Sequence, residues 1–376
     1  MHSKKQKIFR FDRDRNGFAL RLLLLYLTPL FCMGFQLKPN TATVDESCSQ
    51  LQHIFINPED SLETVNITEC QFPNGLTNWF SSDINKSVCT DKQCRMVNIR
   101  LFWDGVGNYH HFELIDNEPL TKTDHSIFTV DDYEKLDLIL TDSSSVFKDL
   151  RIEDLVIEKK EDVDGVSGAT RKSLSDYVVR DAVYTCYTLW HTVYGLRKSK
   201  INDLLEQRTN QEYLRKAFTR NHPAVDFWIL NTIMGRPQYS ATFLNELIVK
   251  IASGNDLLSN LSLKAISPFS LSGELSQMEL VNQIPKIDDL KRLDIIWKLN
   301  DCPVVHEKVV IQLLIDYQNG IINPTALSYV YKIISGKKMM TQVIAKRLKE
   351  FLTDKNEYIR NITNRLITTP DIDQAH

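Results

Sequence analysis

The spacing of apolar residues changes character several times along the chain, and each change predicts a different element. Leu22 to Phe35 is an almost unbroken apolar run. From 36 to about 88, Thr, Asn, Ser and Asp mix irregularly with isolated apolar residues, and a loosely structured lead-in is expected. At Val97 alternation begins: Val97, Ile99, Leu101 and Trp103 share one side, Asp104-Gly105-Val106-Gly107-Asn108 supplies turn chemistry, and Tyr109 to Leu114 resumes the pattern, which predicts a β-hairpin. Tyr133, Leu136 and Leu140 then mark an amphipathic helix beginning near Val130, with Thr129 placed to cap it.

A second helix is predicted over 171–194, its apolar stripe running through Leu174, Tyr177, Val178, Val183, Leu189, Trp190 and Val193 and ending at Gly195. Beyond Gly195 a period near 3.6 persists with short polar breaks. Three segments align there, starting at Asn221, Gly254 and Lys355: Val225, Leu258 and Ile359 correspond, as do Trp228, Leu261 and Ile362, and Ile233, Ile266 and Ile367. Weaker copies fall near Leu290 and Leu327. This self-similarity resembles HEAT-type helical repeats, with a non-repetitive bundle as the alternative. The expected fold class is α+β: a small α+β domain over 89–197, preceded by a signal or anchor at 1–35 and the lead-in at 36–88, and followed by an all-α helical-repeat or bundle domain at 198–376.

Composition narrows the partners. With 43% hydrophobic and 25% charged residues the 376-residue chain is ordinary for a protein that folds in water, and it has room for two or three folded units. The net charge of -3 provides no cationic surplus to neutralise a phosphate backbone, so nucleic acid is not expected as a partner. Basic residues do cluster at Lys4, Lys5, Lys7, Arg10, Arg13 and Arg15, directly before the apolar run, in the order of an export signal. That run of about 14 residues is shorter than the roughly 20 needed to span a bilayer, which favours cleavage near Gly34 over an anchor formed by 18–35. A lipoprotein site at Cys32 lacks suitable residues at Pro29 and Phe31.

Cys48, Cys70, Cys89 and Cys94 are disulfide candidates in an oxidising compartment, with Cys89 and Cys94 bracketing a polar turn as a local pair; no spacing supplies a metal-ligand set. Cys186 and Cys302 lie in apolar helical contexts as buried thiols. His110 and His111 are neighbours on a strand, where adjacent side chains face opposite ways, and are not expected to share an ion.

The stretch Asp164-Gly165-Val166-Ser167-Gly168-Ala169-Thr170 is the most informative. Small residues let a backbone approach a bulky ligand while three side chains offer oxygens. With a helix expected from 171, Thr170 stands at or before a helix N-terminus, where an anion is stabilised and Arg171 and Lys172 add charge. An ordinary capped helix explains the same residues, and the P-loop spacing is absent.

The stretch resembles the flavinylation motif of the FMN-binding domain family, found in flavin-carrying subunits of bacterial sodium-translocating quinone reductases and related complexes. The resemblance rests on Asp164, Ser167, Gly168, Ala169 and Thr170 and implies FMN esterified through its phosphate to Thr170 by a dedicated flavin transferase. The family's Glu-Thr-Pro-Gly loop over the flavin has no identical counterpart; Thr121-Lys122-Thr123-Asp124-His125 is its nearest equivalent, which makes Lys122, Thr123 and His125 candidate ring or phosphate contacts. The expected function is an exported electron-transfer flavoprotein of the periplasm or cell envelope, its helical region docking a redox or scaffold partner. The alternative is a non-enzymatic envelope scaffold that keeps the fold without flavin. A self-contained flavin reductase is disfavoured by the lack of a nicotinamide-binding glycine fingerprint.

Overall fold

The computed structural model describes residues 48–58, 64–88, 95–157, 169–170 and 174–368. The chain divides into two compact units at Arg208 and Thr209.

The first unit is built on a five-stranded antiparallel meander in sequence order: β1 (Ser49–Ile56), β2 (Thr64–Gln71), β3 (Thr77–Lys86), β4 (Val97–Asp104) and β5 (Tyr109–Leu114). The predicted hairpin is β4–β5. Its turn is closed by Asp104, whose Oδ1 accepts from the backbone N–H groups of Val106 and Asn108 at 3.0 and 2.8 Å. Gly105 is required there, since a Cβ would lie 2.2 Å from the Thr77 carbonyl oxygen. The expected lead-in over 36–88 is corrected by the structure: it contains β1, β2 and β3, which continue the same sheet. Their inward positions on the pleat include His53, Glu69 and Ser82, so polar residues interrupt the alternation that would have signalled strands.

The inner face of the sheet carries Ile67, Phe80, Leu101 and Trp103, all fully buried. Packed with it are α1 (Val130–Thr141), α2 (Val183–Tyr194) and α3 (Leu196–Arg208). Thr129 caps α1 in a reciprocal pair with Asp132, as its sequence suggests. Trp103 Nε1 donates to the Val193 carbonyl at 3.2 Å, joining the sheet to α2. The aromatic residues of α2 also fix the chain that follows α1. Tyr194 donates to Leu140 O at 2.8 Å, Trp190 to Asp142 O at 2.8 Å, His191 to Phe147 O at 3.0 Å and Tyr187 to Leu150 O at 3.1 Å. Between α1 and α2 two short strands pair antiparallel, β6 (Val156–Ile157) and β7 (Ala169–Thr170).

The helix expected over 171–194 begins only at Val183. Residues 174–182 form turns, with Tyr177 N–H bonded to Leu174 O and Ala182 N–H to Val179 O, and Asp181 adopts φ 57°, outside the right-handed helical region. Leu174, Val178 and Val179 are nevertheless buried, which is why their spacing looked helical. Gly195 ends α2 as expected, but the unit continues through α3 to Arg208 and not to 197.

The second unit is wholly helical among its described residues. Its helices are α4 (Gln211–Phe218), α5 (Pro223–Met234), α6 (Tyr239–Thr242), α7 (Leu244–Ile251), α8 (Asp256–Ala265), α9 (Glu274–Val281), α10 (Asp289–Asp301), α11 (Glu307–Gln318), α12 (Pro324–Gly336), α13 (Gln342–Glu350) and α14 (Glu357–Thr368). Apart from the short α6 they form five pairs. The second helices, α5, α8, α10, α12 and α14, start 33, 33, 35 and 33 residues apart. Each packs beside the next, α5 on α8, α8 on α10, α10 on α12 and α12 on α14. Their seventh residues, Ile229, Ser262, Ile295, Val330 and Thr363, are all completely buried. The segments aligned by sequence fall on α5, α8 and α14, and the weaker copies on α10 and α12. No helix among the described residues is long and apolar enough to cross a membrane.

Candidate functional site

Of the flavinylation-like stretch, Ala169 and Thr170 form β7, where Thr170 pairs with Val156 and Ala169 with Ile157. Asp164, Ser167 and Gly168 lie outside the described residues, on the link from β6 to β7. The anion-binding argument from a helix N-terminus does not hold at Thr170, because α2 starts thirteen residues later at Val183. Thr170 retains the property the chemistry needs, a secondary hydroxyl, and its backbone is fixed by strand pairing. As a donor set for a phosphoester that residue fits.

The loop after β5 is a small closed structure. Thr121 and Ile127 form an isolated antiparallel bridge, and Lys122 N–H donates to Ser126 O at 2.8 Å. Lys122 Nζ lies 2.8 Å from Asp132 Oδ2. Burial alone would raise the Asp132 carboxyl, but the Lys122 ammonium and the Thr129 N–H and hydroxyl outweigh it and hold the group below its ordinary range. Thr123 donates twice to the Asp181 carbonyl, from N–H at 2.7 Å and from Oγ1 at 2.8 Å. Lys122 and Thr123 are therefore occupied in holding the loop to α1 and to the turn before α2. His125, at φ 65°, is exposed. The structure thus brings Lys122 against α1 and Thr123 against the turn before α2.

Comparison with family models, with curated proteins and with solved structures finds no match to this chain.

Cys48 and Cys70 form a disulfide across β1 and β2. Cys89 and Cys94, expected as a local pair, lie outside the described residues. Cys186 and Cys302 are buried free thiols. Burial pushes Cys186 up to about 12 and Cys302 up to about 11, so neither is a thiolate near neutral pH.

Two clusters escaped the sequence reading. Glu69 is fully buried on the inner face of β2 and accepts from Thr77 at 2.7 Å, His53 at 2.9 Å and Gln71 at 3.0 Å, and from Arg208 at the end of α3. Burial would raise its carboxyl, but the hydrogen bonds, led by that of Arg208, lower it to about 2. Partners so distant in sequence leave no local signal. The second cluster corrects an expectation: His110 and His111 do not face opposite ways. The register shifts between Phe102 and Trp103, so that Phe102 pairs with His111 and Trp103 with Tyr109, leaving His110 as the extra residue of a bulge. Their Nδ1 atoms lie 2.6 Å apart, and the His111 ring stacks on Phe102 at 4.4 Å. Among the described residues no three His, Cys, Asp or Glu side chains are arranged to hold a metal ion.

Proposed function

We propose that the chain is an exported flavoprotein that carries FMN in phosphoester linkage to Thr170 and passes electrons outside the cytoplasm. The observation that carries this reading is the run Asp164-Gly165-Val166-Ser167-Gly168-Ala169-Thr170, with its terminal hydroxyl residue on the short strand that follows a glycine-bearing link. A flavin transferase would move the FMN phosphoryl group from a flavin dinucleotide to Thr170, whose Oγ1 would form the new P–O bond and lose its proton as the phosphoanhydride P–O bond breaks and the nucleoside monophosphate departs. Bound FMN would supply the redox chemistry, and the tether keeps it from being lost by dilution. Asp164, Ser167 and Gly168 belong to the motif by sequence, and Lys122 and Thr123 keep the loop after β5 closed. The Cys48–Cys70 disulfide supports export, because such bonds persist in oxidising compartments. The regular helix pairs support a HEAT-like array whose role is to dock a redox partner.

The test is co-expression with a flavin transferase, in-gel flavin fluorescence of the denatured protein, and mass spectrometry of the tryptic peptide from Glu161 to Arg171. The expected mass is that of the peptide plus FMN less one water. Thr170→Ala abolishes the adduct, and Ser167→Ala reduces it. An unmodified wild-type peptide sinks this reading in favour of the scaffold, and flavin on the Thr170→Ala protein refutes the assigned site.

A further inference from the structure

β1 forms one edge of the five-stranded sheet. Among the described residues it pairs with β2 alone, through consecutive residue pairs from Ser49 to Ile56 with no shift of register. The β2–β3 and β4–β5 pairs each contain such a shift. An edge strand presents a row of backbone N–H and C=O groups that can template another strand, and proteins ordinarily blunt such edges with charged side chains, proline or a bulge. β1 has none of these. Its sequence is Ser-Gln-Leu-Gln-His-Ile-Phe-Ile, without Asp, Glu, Lys, Arg, Pro or Gly.

Three of its apolar residues are exposed, Leu51 at 40%, Ile54 at 70% and Ile56 at 66%. Ile54 and Ile56 share the outer face of the pleat, while Leu51, His53 and Phe55 share the inner face with Glu69. The charged groups around the strand are already matched. On the inner face Glu69 is held by Arg208 and His53, and Lys200, 5.6 Å from the Phe55 ring centroid, is held by Asp203 at 3.2 Å. On the outer face β2 contributes Thr64, Asn66 and Thr68 beside β1, and Asp83, the one carboxylate of β3, is bonded to Arg100 at 2.5 Å. Neither β1 nor β2 therefore carries an unmatched charge by which a partner could be selected. A second copy of β1 suits such an edge: it brings the same backbone row and the same isoleucines, and no charge to oppose.

We propose that the chain forms a two-fold dimer through antiparallel pairing of β1 with β1 of a second copy, which joins two five-stranded sheets into one of ten strands. With the axis at Ile54 and perpendicular to the sheet, Ile54 stands opposite Ile54 of the second copy, Ile56 opposite Gln52, and Phe55 opposite His53. Residues directly opposite share a face, so Ile54 and Ile56 of both copies form one apolar cluster on the outer face. The contact is isologous and stops at two chains. One strand pair buries less than the about 1,200 Å² of a stable complex, so the dimer is weak and depends on concentration. It does not depend on flavin.

Sedimentation equilibrium of the purified protein from about 1 μM to about 1 mM tests this. The mass is expected to rise from one chain to two, with amide hydrogen exchange slowing in β1 over the same range and unchanged in β4. Ile54→Lys sets two ammonium groups against each other at the axis and is expected to move the midpoint to a concentration about tenfold higher or more. Ile54 is exposed, and circular dichroism checks that the variant folds; Ile56→Lys, expected to shift the midpoint the same way, serves if it does not. A one-chain mass throughout, a mass rising past two chains, exchange in β1 independent of concentration, or a variant that dimerises as tightly as the wild type overturns the proposal.

Discussion

Glu69 occupies an inward strand position that would ordinarily hold an apolar side chain, and four side chains keep it charged there. Its folded carboxyl titrates at about 2 against an ordinary value of 4.5. A depressed carboxyl favours the folded state where it is ionised, so the contribution is complete above pH 4.5 and disappears as pH falls toward 2. The gap corresponds to about 3 kcal/mol. Denaturant midpoints of the first unit should fall through that window, and the pH dependence should flatten in Glu69→Gln. At neutral pH that variant should also lose about 3 kcal/mol, because Arg208 is left without its counter-charge. Thr170 contrasts with Glu69 at the same scale. Its chemistry is readable in the seven-residue run alone, whereas the Glu69 cluster requires partners that only the fold assembles.

Among the elements, those with an uninterrupted period were legible. The β4–β5 hairpin, α1 and the spacing of the second helices all follow from where their apolar residues recur. β1 to β3 were not, since His53, Glu69 and Ser82 replace apolar residues at inward positions. β6 and β7 are two residues each, too short to show any alternation. The start of α2 was misplaced because buried turns reproduce helical spacing and the positive φ of Asp181 has no sequence mark. The helix caps in the second unit offer an independent check on its repetition. Asn255 accepts from Leu258 N–H at 3.1 Å and Asn323 from Ala326 N–H at 2.9 Å, at matching places on α8 and α12. Alanine at either position should cost about 1 kcal/mol, and the double variant about the sum, since the sites share no partner. Chemical denaturation of the single and double variants measures both.

At the scale of the whole molecule, two units differ in what holds them. The helical unit is tied mainly between neighbouring pairs: Lys250 to Asp226 at 2.5 Å, Lys308 to Glu274 at 2.7 Å, and the buried Tyr331 hydroxyl to Thr363 at 2.7 Å. The sheet unit depends on connections between remote segments, including the Cys48–Cys70 bond across 22 residues. Closing a loop of that size contributes about 3 kcal/mol through the unfolded chain. Reduction should therefore raise amide hydrogen exchange in β1 and β2 and leave it unchanged over α4 to α14. Mass spectrometry of peptides from both units reads the difference. The Glu69–Arg208 contact spans 139 residues and ends on the last residue of the first unit. A chain synthesised or threaded through a pore amino end first presents β2 long before it delivers Arg208. During that interval the strand holds a carboxylate that cannot be buried at low cost, so closing of the sheet core waits for α3 to arrive. The order in which this unit becomes protease-resistant is thus set by how much chain has emerged, with Arg208 as the residue that completes it.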